Sequence, residues 1–160
     1  MEQARRSRGF TLIEILVVVV LIALAAAAVV VKLQPDDKQA LRLEAQRLAA
    51  LLIQARDEAI TTGSALAWQG DASGYTFMRR NRERLWEPFG NDEVFRTRKL
   101  PQPAQLASIE IGGRPAKPED MLIFSSTGVA PPFRIVLVAK SDQITVHADH
   151  PARILVDDAR

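Results

Sequence analysis

The sequence predicts an α+β fold: a long N-terminal helix, apolar in its first half and amphipathic in its second, followed by a domain on a mostly antiparallel β-sheet. Three observations carry this. Phe10 to Val31 is apolar apart from Thr11 and Glu14. Leu41, Ala45, Leu48, Leu52, Ala55 and Ala59 then recur at alternating steps of four and three residues, which places them on one helix face. After Gly63 the chain breaks into short apolar runs separated by turn residues, the pattern of strands and hairpins.

The first element is long enough to cross a membrane. A helix over residues 10–31 rises about 1.5 Å per residue to roughly 33 Å, against a hydrocarbon core of about 30 Å. Arg5, Arg6 and Arg8 stand just before it and hold that end in the cytoplasm by the positive-inside rule. An ordinary secretory signal shares the basic start and apolar centre, and Ala25–Ala28 could imitate its small-residue cleavage site. The two readings differ in where the mature chain begins.

Lys32 ends the apolar run, and Pro35 interrupts the helix because it lacks an N–H donor. Asp36 and Asp37 follow as capping charges for a second helical stretch over residues 38–62, which Gly63 stops. The runs Ala65–Gln69 and Tyr75–Arg80 flank Gly70–Gly74 as one hairpin, and Phe133–Ala139 and Ile144–Ala148 flank Lys140–Gln143 as another. Leu106–Ile111, Met121–Ser125 and Arg153–Val156 are further short strands, and Glu83–Pro103 reads as a loop-rich insertion with at most short strands. The chain thus divides into a leader (1–9), an apolar helix (10–31), an amphipathic helix (32–63) and a β-rich domain (64–160).

Composition narrows the function. The chain has 160 residues, enough for one modest domain beside the apolar segment. Its formal net charge is +2. Residues 1–9 hold that whole excess, three arginines against Glu2, and the rest is balanced. The basic pI therefore belongs to the leader, and nucleic acid is not an expected partner of the body. With no cysteine there are no disulfides and no thiolate metal sites.

Nothing after the leader reads as catalytic, and no cofactor is expected. Ser125-Ser126-Thr127-Gly128 lacks the Gly-x-Ser-x-Gly nucleophile turn and reads as a polar turn. His147 and His150 have no third ligand in view and read as exposed histidines. Asp157 and Asp158 read as solvated charges, since no loop supplies the ligands calcium needs. Arg79, Arg80, Arg82 and Arg84 lie near Tyr75, Phe77 and Trp86, with Glu83 and Glu87 among them. They read as a solvated hairpin, with a protein-contact patch as the alternative.

Arg8-Gly9-Phe10-Thr11-Leu12-Ile13-Glu14-Ile15 closely resembles the prepilin motif of type IV pilins and type II secretion pseudopilins. The resemblance implies that a prepilin peptidase cuts after Gly9 and methylates the new amino terminus at Phe10, and that Glu14 is the family's glutamate, fifth in the mature chain. Physical reasoning agrees that Glu14 is special. An ionisable group inside a membrane helix costs about 2.5–3.5 kcal/mol on insertion scales and is a functional residue by default. Cleavage after Gly9 would create a cation for it, the Phe10 amine of a neighbouring subunit.

The stretches Glu44–Leu52, Ala55–Ile60, Tyr75–Phe77 with Trp86–Pro88, and Phe124–Gly128 with Arg134–Leu137 resemble the minor pseudopilin H (GspH) group, and in part the FimT-type minor pilins. This implies a pilin-like fold and a non-enzymatic subunit of the type II secretion pseudopilus, in the inner membrane with its domain in the periplasm. The implied partners are minor pseudopilins I, J and K, major pseudopilin G and, as a further candidate, secreted cargo. A minor pilin of a type IV pilus, including one for DNA uptake, and a periplasmic enzyme behind an ordinary signal peptide are the rival readings.

Overall fold

The computed structural model describes residues 12–32, 37–90, 92–150 and 153–158, with side chains 26–32 left out. It contains two compact units, residues 1–35 and 36–160. The described part of the first is α1, Leu12–Lys32. Its side chains from Leu12 to Ala25 are all exposed, with no apolar cover among the described residues.

The second unit opens with α2, Asp37–Thr62. Every residue of the expected face, Leu41, Ala45, Leu48, Leu52, Ala55 and Ala59, is at most 1% exposed. The periodicity alone thus identified the buried stripe. Gly63 stops the helix in the left-handed region (φ 63°), and its N–H donates to Ile60 O at 3.3 Å.

Ten strands follow. They are β1 Leu66–Asp71, β2 Gly74–Arg80, β3 Trp86–Pro88, β4 Arg98–Lys99, β5 Gln105–Ile111, β6 Arg114–Pro115, β7 Leu122–Phe124, β8 Phe133–Ala139, β9 Asp142–His150 and β10 Arg153–Asp158. One sheet has the order β3-β2-β1-β7, with β4 also on β2; the other has the order β10-β9-β8-β5-β6. All pairs are antiparallel. α2 packs against β1 and β7 of the first sheet and β8, β9 and β10 of the second. Trp68, Phe77, Phe124, Leu122, Ile135, Leu137 and Val146 complete the core.

Both hairpins are tighter than the sequence suggested. The Asp71 carboxylate accepts from Ser73 N at 2.7 Å, Ser73 Oγ at 2.7 Å and Gly74 N at 3.0 Å. This Asx turn brings Asp71 opposite Gly74, so only Ala72 and Ser73 remain outside the ladder. The same bonds hold the Asp71 carboxyl below its ordinary pKa, the Ser73 hydroxyl contributing most. In the second hairpin Lys140 adopts a left-handed φ of 54°, which lets Ala139 pair with Asp142. Lys140 also forms an ion pair with Asp37 at the start of α2.

Two expectations need correction. His147 is not exposed: it is 7% accessible on β9, a strand buried on both faces. Ile144, Val146 and Ala148 face the core, while Thr145 and His147 are flanked by Val136 and Arg134 on β8 and by Asp157 and Leu155 on β10. Asp158 is not a purely solvated charge either, since its carboxylate lies 3.7 Å from the Arg42 guanidinium.

Candidate functional site

Of the residues expected to act in processing and assembly, only Glu14 lies among the described residues; Arg5, Arg6, Arg8, Gly9 and Phe10 lie outside them. Glu14 sits in the first turn of α1 and is exposed, with Ile13, Ile15, Leu16 and Val17 exposed around it. A carboxylate there is favoured by the partial positive charge of the helix start. It is the single acid of the helix and presents an acceptor to whatever packs beside it. Among the described residues no helix is long and apolar enough to cross a membrane, so a span over residues 10–31 rests on the sequence.

The domain shows a second carboxylate that sequence reasoning missed. Glu44 of α2 is 3% exposed. Its Oε1 accepts from the Tyr75 hydroxyl at 3.1 Å and its Oε2 from Arg47 Nη1 at 2.8 Å. Burial, and then the Glu44 charge, push the Tyr75 phenol well above its ordinary pKa. The signal was present in the helix period, since Glu44 falls three residues after Leu41 and four before Leu48. The Tyr75 bond ties α2 to β2, and with Arg47 it occupies both Glu44 oxygens.

The other singled-out residues have structural settings. Ser125 Oγ lies 2.9 Å from Thr127 Oγ1 and accepts from Val129 N at 3.1 Å, as a turn requires. His147 and His150 do not converge with further ligands into a metal-binding group among the described residues.

Two surface depressions stand out. One, of about 500 Å³, is lined by Arg79, Arg80, Asn81, Arg82, Glu83 and Glu87 at the β2–β3 hairpin. The other, of about 770 Å³, runs where β1, β2 and β4 approach Ile109, Lys117 and Asp120. Trp68 and Arg98 line it, and the buried Trp68 Nε1 and Arg98 Nε have no hydrogen-bond partner among the described residues. In the second depression the Asp71 carboxylate and the Ser73 hydroxyl are bonded to each other in the hairpin turn.

Comparison with known proteins decides the family. The model of type II transport protein GspH matches residues 44–154, most of the domain described above. The chain belongs to the GspH family. A second model, the prokaryotic N-terminal methylation motif, matches residues 4–30. The chain is similar to type II secretion system protein H of Pseudomonas aeruginosa, with 29% identity over 87% of each chain. It is 30% identical to protein H of Vibrio cholerae over 72% of this chain and 60% of that one. Its fold is that of the minor pseudopilin EpsH of V. cholerae (TM-score 0.62, 22% identity, 74% of this chain and 96% of that one). It is also that of E. coli GspH (TM-score 0.61, 16% identity, 80% and 96%). The family and these relatives favour type II secretion over the type IV minor pilin reading.

Proposed function

We propose that this minor pseudopilin is cut after Gly9 by a prepilin peptidase, methylated at Phe10, and built into the pseudopilus by its N-terminal helix, with Glu14 paired to the Phe10 amine of the adjoining subunit. One observation carries the reading: Glu14 is the single acid of α1, which carries no other charge before Lys32 and whose described side chains, residues 12–25, are all exposed. An ionisable group in such a helix requires a counter-charge, and cleavage after Gly9 supplies one at the right end of the helix. The pair would set the axial register between subunits.

In this reading residues 10–31 span the inner membrane once, with the leader cytoplasmic and residues 64–160 periplasmic, consistent with the match to the N-terminal methylation motif. The domain takes no part in bond-making. It presents surfaces to minor pseudopilins I, J and K at the filament tip, above major pseudopilin G, and to cargo. Mass spectrometry of the mature protein tests the processing step. The expected amino terminus is N-methyl-Phe10; a terminus near Ala28 would show an ordinary signal peptide and overturn the proposal.

A further inference from the structure

The β2–β3 hairpin ends in a hydrogen-bonded, cationic tip. Arg79 stands opposite Glu87 in the ladder and Arg80 opposite Trp86. Arg79 Nε donates to Glu87 Oε1 at 3.2 Å, and its guanidinium lies 5.4 Å from the Phe89 ring centre. Arg80 lies 4.8 Å from the Trp86 ring, and its Nη1 donates to Arg84 O at 3.3 Å. Beyond this last pair, Asn81 organises the turn. Its Oδ1 accepts from Glu83 N at 3.0 Å and Leu85 N at 2.9 Å; its backbone N–H donates to Leu85 O at 2.9 Å. Arg84 is held at φ 66°, a conformation that side-chain-bearing residues rarely adopt.

This scaffold holds out four exposed side chains, Arg82, Glu83, Arg84 and Leu85. Arg82 and Arg84 have no ion pair or side-chain hydrogen bond among the described residues. Leu85 between Arg84 and Trp86 is 60% exposed. The bonds of Asn81 fix the backbone that carries Arg82 and Arg84, so docking need not order the turn itself, and arginines form forked bonds to carboxylates. The sign of the whole tip then selects the partner. Glu83 and Glu87 line the same depression as Arg79, Arg80 and Arg82. A continuous polyanion, whether a nucleic-acid backbone or an anionic lipid surface, would press its charge against those two carboxylates. Separate carboxylates spaced by apolar residues would avoid them.

We infer that the Asn81–Leu85 tip is a docking site for an acidic segment of another protein chain, with its carboxylates on Arg82 and Arg84 and an apolar side chain against Leu85. This goes beyond assembly through the N-terminal helix and stands independently of it.

The test uses the full chain in phosphatidylcholine nanodiscs and a fluorescent peptide of alternating aspartate and leucine, read by anisotropy. The wild type is expected to bind, and more weakly as salt rises. Arg82→Glu with Arg84→Glu is expected to weaken binding by about tenfold or more, and Leu85→Ser by roughly threefold. Both variants alter exposed side chains, and an unchanged thermal midpoint will show that the domain is intact. Arg82→Lys with Arg84→Lys should bind between wild type and the Glu variant, since it keeps charge but loses the fork. The inference is overturned if the wild type does not bind the peptide or if the Glu variant binds equally well. It is also overturned if phosphatidylglycerol vesicles or a single-stranded oligonucleotide bind more tightly than the peptide through the same two arginines.

Discussion

The Tyr75 hydroxyl donates to Glu44 Oε1 at 3.1 Å, both side chains lying in the core between α2 and β2. Tyr75 also packs edge-on against Phe77 (6.1 Å between ring centres) and tilted against Trp68 (6.2 Å). Its phenol therefore anchors an aromatic cluster to the one buried acid of the amphipathic helix. Tyr75→Phe keeps the ring and removes the donor, leaving Glu44 Oε1 short of a partner. The expected cost is about 1–3 kcal/mol in denaturant unfolding.

The same pair makes stability fall in alkali. The Tyr75 pKa is raised in the folded state, mainly by burial and then by the Glu44 charge. A group whose folded pKa lies above its unfolded value stabilises fully below the unfolded value, about 10 for tyrosine, and loses that contribution as pH rises beyond it. Unfolding free energy should thus decline above about pH 10. Because this chain has a single tyrosine, Tyr75→Phe should remove the tyrosine part of that decline. An identical alkaline slope in the variant would show that Tyr75 is not the group responsible.

A second expectation concerns how the insertion between β2 and β5 is held. Gly74 pairs with Lys99 of β4, and a Cβ there would sit 2.2 Å from Arg98 O. The obstacle is backbone, so a rotamer change cannot relieve it. Gly74→Ala should part β4 from β2 and cost about 1–3 kcal/mol, the usual range for overpacking. Limited proteolysis will check it: new cleavage within residues 89–104 is expected in the variant under conditions where the wild type resists.

The sequence made the helix face and most strands legible because their signals are local. The four-and-three spacing of Leu41 to Ala59 needs nothing outside α2 to be read, and β8 matches its apolar run, Phe133–Ala139, end to end. What escaped depends on partners distant in sequence. Glu44 sits at a buried helix position, but its residue type argued for solvent until Tyr75, 31 residues on, supplied a donor. His147 stands between Val146 and Ala148, on the strand face opposite them. Only the register of β8 and β10 reveals that this face is covered too. The strands β3, β4 and β6 are too short, at three, two and two residues, to carry any periodicity. The leader motif and Glu14 are proposals read from the sequence, the leader lying outside the described residues, whereas the Asn81-centred geometry of the arginine hairpin was not legible there.

Membership in the GspH family predicts a deletion phenotype. Loss of this subunit should abolish or strongly reduce export of secreted exoenzymes while leaving surface motility and natural transformation at wild-type levels. A type IV minor pilin would give the reverse, so assays of culture-supernatant enzyme activity and twitching zones on one deletion strain discriminate between the two filaments.

The final prediction isolates Glu14. Removing a carboxylate from an apolar helix makes insertion easier, by about 2.5–3.5 kcal/mol on insertion scales, and Glu14 lies beyond the Gly9–Phe10 bond. Glu14→Ala should therefore reach the membrane and be cut normally. If Glu14 meets the neighbouring Phe10 amine, losing that pair should lower incorporation into pseudopili by about tenfold or more, since each 1.4 kcal/mol is a factor of ten. Glu14→Gln should fail almost as badly, because it preserves shape and hydrogen bonding but not charge. Membrane fractionation, amino-terminal mass and cross-linking into sheared filaments separate the three steps. Normal incorporation of both variants would eliminate the pairing role, and failure of cleavage would reassign Glu14 to recognition by the peptidase.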